Sequence, residues 1–266
     1  MTTVSILGCG WLGYSLALDL LSLKNYSINA STTSKDKITL FEENKLHAFL
    51  INSKDNKIDK NILDEFLSCE VLIISIPPKK DNVNYLNFLE KIASHERINT
   101  IKQIIFISST SVYPKIEENI TEKQDITYKN TSKTLVYEAE QIFIKKVQNL
   151  VILRCSGLMG DNRIAGKYFA AKQIEGENDP VNYVHREDVI EIISLLIHKK
   201  IVDKIYNLCS PSHPSKKEVY FNNANKYGFK KPVFINTKVG VQRLIDGSLV
   251  SFDLDYKYKY SSPLEF

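Results

Sequence analysis

Gly8-Cys9-Gly10-Trp11-Leu12-Gly13 is the run whose residue types and spacing imply chemistry most directly. It follows an apolar strand-like segment, Val4-Ser5-Ile6-Leu7. It opens a stretch in which Leu12, Leu16, Leu20 and Leu23 recur on one helical face. In that context each glycine has its own task. Gly8 permits a tight turn, Gly10 lets backbone approach a pyrophosphate, and Gly13 permits close helix–strand packing. The helix start adds N–H groups and the positive end of a dipole, which suit phosphate. The expectation is a dinucleotide site; a glycine-rich βα turn without a ligand is the bland alternative.

The end of the second strand selects between cofactors. An NAD site usually places a carboxylate there, about 20 residues past the glycines, for the ribose hydroxyls. Here the segment reads Ala30-Ser31-Thr32-Thr33-Ser34-Lys35, and Asp36 comes only afterwards. Hydroxyls and a lysine accept a 2′-phosphate that a carboxylate would repel, so Ser31, Thr32, Thr33 and Lys35 predict NADP, with NAD as the alternative. The same hydroxyls could instead cap the next helix. Ser75-Ile76-Pro77, at the end of a strong apolar run from Val71, joins Gly8, Gly10, Trp11, Leu12 and Gly13 in the expected cofactor set.

The elements that must position these residues alternate. Strand-like runs at Tyr26–Ala30, His47–Leu50, Val71–Ile76, Ile104–Ile107 and Val151–Leu153 are separated by amphipathic stretches. One of these carries Tyr85, Phe88, Leu89 and Ile92, and another runs from Leu135 to Val147. The pattern predicts an α/β fold, a Rossmann-type doubly wound parallel sheet. Asp188–His198 reads as a further helix and Ile205–Leu208 as the last strand. The expected division is a dinucleotide-binding domain over 1–155, joined again by 182–209, with a small, irregular C-terminal substrate lobe over 156–181 and 210–266.

Composition narrows the class. The chain has 266 residues, 43% hydrophobic and 25% charged, with a formal net charge of +4. This is ordinary for a soluble globular protein. Its lysines are scattered, which argues against a nucleic-acid footprint. Cys9, Cys69, Cys155 and Cys209 form no CxxC pair and stand at no metal-ligand spacing, so no metal is expected. No apolar run is long enough to span a bilayer and the N-terminus lacks signal-peptide features. The expectation is a cytoplasmic protein with a small-molecule substrate, without nucleic-acid or membrane partners.

The second half carries a family resemblance. Ile107-Ser108-Ser109-Thr110-Ser111-Val112-Tyr113 resembles the "SSxxVY" segment of the extended short-chain dehydrogenase/reductase superfamily, the branch of NAD(P)-dependent epimerases and dehydratases. Leu153-Arg154 with Gly157 and Gly160, then Tyr183-Val184-His185-Arg186-Glu187-Asp188-Val189, then Ile205-Tyr206-Asn207-Leu208, resemble its later segments in order. With Gly10-Trp11-Leu12-Gly13 and Ile245-Asp246-Gly247, the whole is most similar to small bacterial YeeZ-like proteins. The resemblance implies that Ser109 polarises a substrate carbonyl and that Lys133 holds the nicotinamide ribose. It also implies a tyrosine, four residues before that lysine, that moves the proton.

That tyrosine is displaced. Tyr128 precedes Lys133 by five residues, and Lys129 stands where the tyrosine belongs. Five helical residues leave two side chains about 140° apart, whereas four leave them on one face. Either Tyr128 reaches in from a non-helical lead-in, or the usual proton donor is missing. Arg163 and Lys167 lie where the family's substrate lobe begins and could meet an anion. His185 could act as a base but more readily fixes a loop. The reading is an NAD(P)-binding oxidoreductase or epimerase/dehydratase-like enzyme acting on a carbonyl or hydroxyl of a small polar, nucleotide-sugar-like substrate. The rival is a non-catalytic dinucleotide-binding sensor or scaffold. A hydroxyacid-type dehydrogenase fits the glycine run but not the later segments.

Overall fold

The computed structural model describes residues 1–52, 59–78, 82–116, 118–235 and 242–266. The first part alternates β1 (Thr2–Leu7), α1 (Trp11–Ser22), β2 (Tyr26–Thr32), α2 (Asp36–Glu43), β3 (His47–Leu50), α3 (Lys60–Phe66), β4 (Val71–Ile74), α4 (Asn82–Ala93) and β5 (Gln103–Ser109). The middle follows as β6 (Asn119–Ile120), α5 (Thr134–Lys146), β7 (Leu150–Cys155), β8 (Gly157–Met159), β9 (Gln173–Ile174), β10 (Tyr183–His185), α6 (Arg186–His198) and β11 (Lys204–Leu208). The remainder is α7 (Lys216–Tyr227), β12 (Val233–Phe234), β13 (Leu244–Ile245) and α8 (Ser248–Leu254).

Seven strands make one sheet in the order β11-β7-β5-β4-β1-β2-β3. The pairs β3–β2, β2–β1, β1–β4 and β4–β5 are parallel. Register places Val4 beside Ile28 and Val71, and Ile73 beside Ile105. Every residue of β4 and β7 is buried, as continuous apolar runs require when both faces of a parallel sheet are covered. The chain therefore has the doubly wound α/β architecture that its strand–helix alternation predicts.

Two compact units emerge, one of 1–108, 133–153 and 193–205, the other of 109–132, 154–192 and 206–266. In the first, Leu72, Ile74, Leu89, Ile92, Ile104 and Phe143 share a core, and Phe106 stacks on Phe143 at 5.1 Å. In the second, Ala165, Val181, Val219 and Tyr220 form a smaller one. All four cysteines are free. No helix among the described residues is long and apolar enough to cross a membrane.

Two details depart from the sequence reading. Leu23 does not continue the apolar face of α1. It is the helix C-cap and is half exposed, because the helix ends at Ser22. The C-terminal lobe is not irregular either. α7 opens with a full capping box, in which the Ser215 hydroxyl takes the Glu218 N–H while the Glu218 carboxylate takes the Ser215 N–H, and Gly228 closes the helix at φ +70°. Ser215-Lys216-Lys217-Glu218 is a readable start signal and Gly228 a readable stop.

Candidate functional site

The glycine run forms the turn from β1 into α1. Gly8 has φ +94°, and a Cβ there would lie 3.0 Å from Ser75 carbonyl atoms and from Ile76 Cγ1. Only glycine fits on both counts. At Gly13 a Cβ would sit 2.8 Å from the Gly8 carbonyl oxygen and 3.1 Å from Ile6 Cγ2, so α1 packs on β1 through the missing side chain. Gly10 differs. It is exposed, its φ is −93°, and a Cβ would meet nothing nearer than the Gly8 oxygen at 4.0 Å. The backbone is thus open to an outside group at Gly10 alone of the three. α1 begins there with no side-chain cap, leaving its first turn suited to an anion.

The end of β2 supports this loop unevenly. Ser31 is buried, and its hydroxyl accepts the Gly8 N–H at 2.8 Å. Thr32 is buried too, and its hydroxyl accepts the Ser34 N–H at 3.1 Å. Thr33 and Lys35 are exposed. Lys37, in the first turn of α2, is also exposed. The Cys9 thiol is pushed up to about 12 by burial, an effect the Lys37 charge partly offsets. Lys37 is thus a second exposed cation past the end of β2. Its signal in the sequence is no more than a lysine two residues past Lys35. Ser75 and Ile76 are half-buried and Pro77 exposed, at the end of β4 and against Gly8.

The Ser108–Ser111 segment divides its hydroxyls. Ser108 donates to the buried Glu140 of α5 at 2.5 Å. Ser109 is half-buried, and its Oγ accepts the Ser111 N–H at 3.1 Å, capping a short 3₁₀ turn over Thr110–Val112. No acceptor for the Ser109 hydroxyl proton exists among the described residues. Tyr113, fully buried, donates to Asn207 Oδ1 at 2.7 Å and accepts from Arg154 Nη1 at 3.0 Å. The Arg154 guanidinium also lies 4.9 Å over its ring. Burial raises the Tyr113 pKa. This tyrosine is a strut, and Arg154 and Asn207 of the resembling segments hold it. Arg243, missed by the sequence reading, donates to the carbonyls of Tyr113 and Pro114; a lone arginine gives no signal.

Tyr128 and Lys133 do not share a helix. Tyr128 lies in a turn closed by Thr131 N–H to Thr127 O, and is 60% exposed. Lys133 is the extended N-cap residue of α5, at φ −141°. Between them the Thr131 and Ser132 hydroxyls donate to the carbonyls of Val112 and Tyr113, both at 2.6 Å. The lead-in carrying Tyr128 is thereby fastened to the turn that Ser109 caps. Lys129 lies in the same turn as Tyr128.

Arg163 and Gly160 form a backbone pair. The exposed Arg163 lines a small cleft, open to solvent, with Met159, Asn223 and Phe266. Lys167 is exposed in the 3₁₀ turn Ala165–Phe169. His185 is buried, its ring 3.7 Å from that of Tyr260 and 5.2 Å from that of Phe266. Its Nδ1 accepts the Glu187 N–H, and burial lowers its pKa. It is packed beside Gly160, whose Cβ, if present, would touch the imidazole at 2.8 Å.

No protein-family model matches the chain. Solved structures match its whole length. It superposes on UDP-glucuronic acid 4-epimerase from Bacillus cereus in complex with NAD with a TM-score of 0.77 at 17% identity, covering 99% of this chain and 96% of that one. dTDP-glucose 4,6-dehydratase from Bacillus anthracis, also in complex with NAD, gives 0.73 at 15% identity over 100% and 94%. A functionally unknown conserved protein from Silicibacter pomeroyi gives 0.76 at 16% over 100% and 97%. The fold is the one that these epimerase and dehydratase structures share. The chain is 31% identical over 272 aligned positions to Protein YeeZ of Escherichia coli K12, covering 99% of this chain and 98% of that protein. The chain belongs to the YeeZ family.

Proposed function

We propose that this protein is an NADP-dependent oxidoreductase or epimerase/dehydratase-like enzyme acting on a carbonyl or hydroxyl of a small polar substrate of the nucleotide-sugar class. The observation that carries the cofactor part is the glycine loop. Gly8 and Gly13 are filled by protein on every side a Cβ would take, while Gly10 opens outward beside an uncapped helix start. That is a cradle for a diphosphate. Thr33, Lys35 and Lys37, exposed past β2, suit a 2′-phosphate. The cofactor supplies or accepts a hydride; this chain's residues orient and move the proton. Ser109 has a proton to donate to a carbonyl oxygen, because its Oγ already accepts the Ser111 N–H. Lys133 suits a ribose, and Tyr128 is the candidate proton donor. Arg163 and Lys167 offer exposed charge to an anionic substrate. The complexes of fold relatives with NAD and sugar nucleotides support this reading.

The second reading, a non-catalytic dinucleotide-binding protein, is favoured by one observation. Tyr128 stands in an exposed turn and Lys133 ahead of α5, so the helical tyrosine–lysine pair of the superfamily is not formed. A turnover screen against aldehydes, ketones and nucleotide sugars with NADPH and NADH separates the two. Turnover that falls in Tyr128→Phe supports the enzyme; tight NADPH binding with no turnover on any substrate supports the sensor.

A further inference from the structure

Ser31 stands where an adenosine contact is expected, yet its surroundings give it another task. It is 2% exposed. Its Oγ accepts the Gly8 N–H at 2.8 Å, and its carbonyl oxygen accepts the Cys9 N–H at 2.9 Å. On the opposite side Gly8 is held against Ser75 and Ile76. Residues two apart share a face of a strand, and the same face of β2 carries Asn29, whose amide donates to Ser5 Oγ at 3.1 Å. Ser5 in turn donates to the Phe66 carbonyl. These buried polar groups stitch β2 to β1 and then to the turn that leaves it.

We propose that Ser31 is a positioning residue for the dinucleotide loop, and that it does not contact the 2′-phosphate. The inference rests on reading Gly8–Gly13 as that loop. The Gly8 N–H faces Ser31; without an acceptor there, a partly buried donor would be left unpaired. Satisfying it fixes the turn at φ +94° before any ligand arrives, so that Gly10 and the first turn of α1 meet the diphosphate already placed. Preorganisation of this kind acts on every ligand that carries the diphosphate. Discrimination between NADP and NAD falls instead to Thr33, Lys35 and Lys37.

The test compares wild type, Ser31→Ala and Ser31→Thr by titration with NADPH, NADH and ADP-ribose, and by amide hydrogen exchange at Gly8 in the ligand-free protein. Loss of one hydrogen bond predicts affinities weaker by about three- to tenfold for all three ligands, an unchanged NADPH-to-NADH ratio, and faster Gly8 exchange in Ser31→Ala. Ser31→Thr, which keeps the hydroxyl, restores both. If Ser31→Ala does not fold, Ser31→Cys, nearly isosteric but a poor acceptor, takes its place. A loss confined to NADPH, with Gly8 protection intact, overturns the proposal and returns Ser31 to the phosphate. Unchanged affinities in a folded variant overturn it as well. Wild type that binds none of the three ligands overturns the loop assignment itself, a different failure from one seen only in the variants.

Discussion

At the scale of single residues, the proposed function assigns binding and stability to different glycines. Gly10 has room for a side chain and a negative φ, so Gly10→Val should fold normally. It should lose at least about tenfold in NADPH affinity, a cost of at least about 1.4 kcal/mol, measured by fluorescence titration. Full affinity in the folded variant would place the cofactor elsewhere. Charge past β2 should set cofactor choice. NADPH is expected to bind more tightly than NADH, with a margin that narrows as salt rises, because exposed cations are screened; Lys37→Ala should narrow it further. Equal affinities at low salt would contradict this assignment. For chemistry, Tyr128→Phe should lower turnover by about 10² or more if it moves a proton and spare NADPH binding, while Lys133→Ala should impair both. Robust turnover in Tyr128→Phe would assign the proton to another group.

At the scale of elements, small contacts decide where helices begin and how closely they lie. Gly13→Leu should cost stability where Gly10→Val does not, because its Cβ meets backbone at 2.8 Å and the helix must move off β1. Overpacking of this kind costs about 1–3 kcal/mol. In α7, Ser215→Ala removes the hydroxyl half of the capping box; a cap of this kind is worth about 1 kcal/mol, or about 2–4 °C in Tm for a chain near this size. Thermal melts of both variants check these figures. A Ser215→Ala melt identical to wild type would show that α7 is held by its packing on Ala165 and Val181 alone.

At the scale of the whole molecule, buried imidazoles tie stability to pH. Burial lowers the pKa of both His185 and His213 below the ordinary 6.5. The folded state therefore holds them neutral while the unfolded chain protonates them near that value. Their contribution is complete above pH about 6.5 and is lost as pH falls below it toward the folded pKa values. Glu122 and Asp188, raised by burial, act in the opposite sense, so the histidine effect is best read as a difference. The margin in Tm between wild type and a His185→Asn/His213→Asn double variant should shift against wild type between pH 7.5 and 5.5. A margin constant across that range would mean that neither imidazole is held neutral.

The sequence by itself determined the alternation of strands and helices, the parallel sheet, and the tasks of Gly8 in the turn and Gly13 in helix–strand packing, because these follow from hydrophobic period and from what a Cβ excludes. It also carried the family, in segments such as Ser108–Tyr113 and Tyr183–Val189. It held the start and stop of α7 in Ser215, Glu218 and Gly228, which composition alone had obscured. Tertiary structure decided which polar side chains remain available. Ser31 and Thr32 look equivalent to Thr33 in sequence, yet both are buried with their hydroxyl oxygens turned to backbone N–H groups, whereas Thr33 is exposed. Ser108 and Ser109 are adjacent, but only Ser108 meets Glu140, thirty-two residues away. Tyr113 and Tyr128 are both tyrosines that follow Ser109 in the sequence. Arg154 and Asn207 consume one, and a turn exposes the other. A hydroxyl's role depends on which donor or acceptor the fold brings within 3 Å, and those partners are distant in sequence and leave no periodic trace.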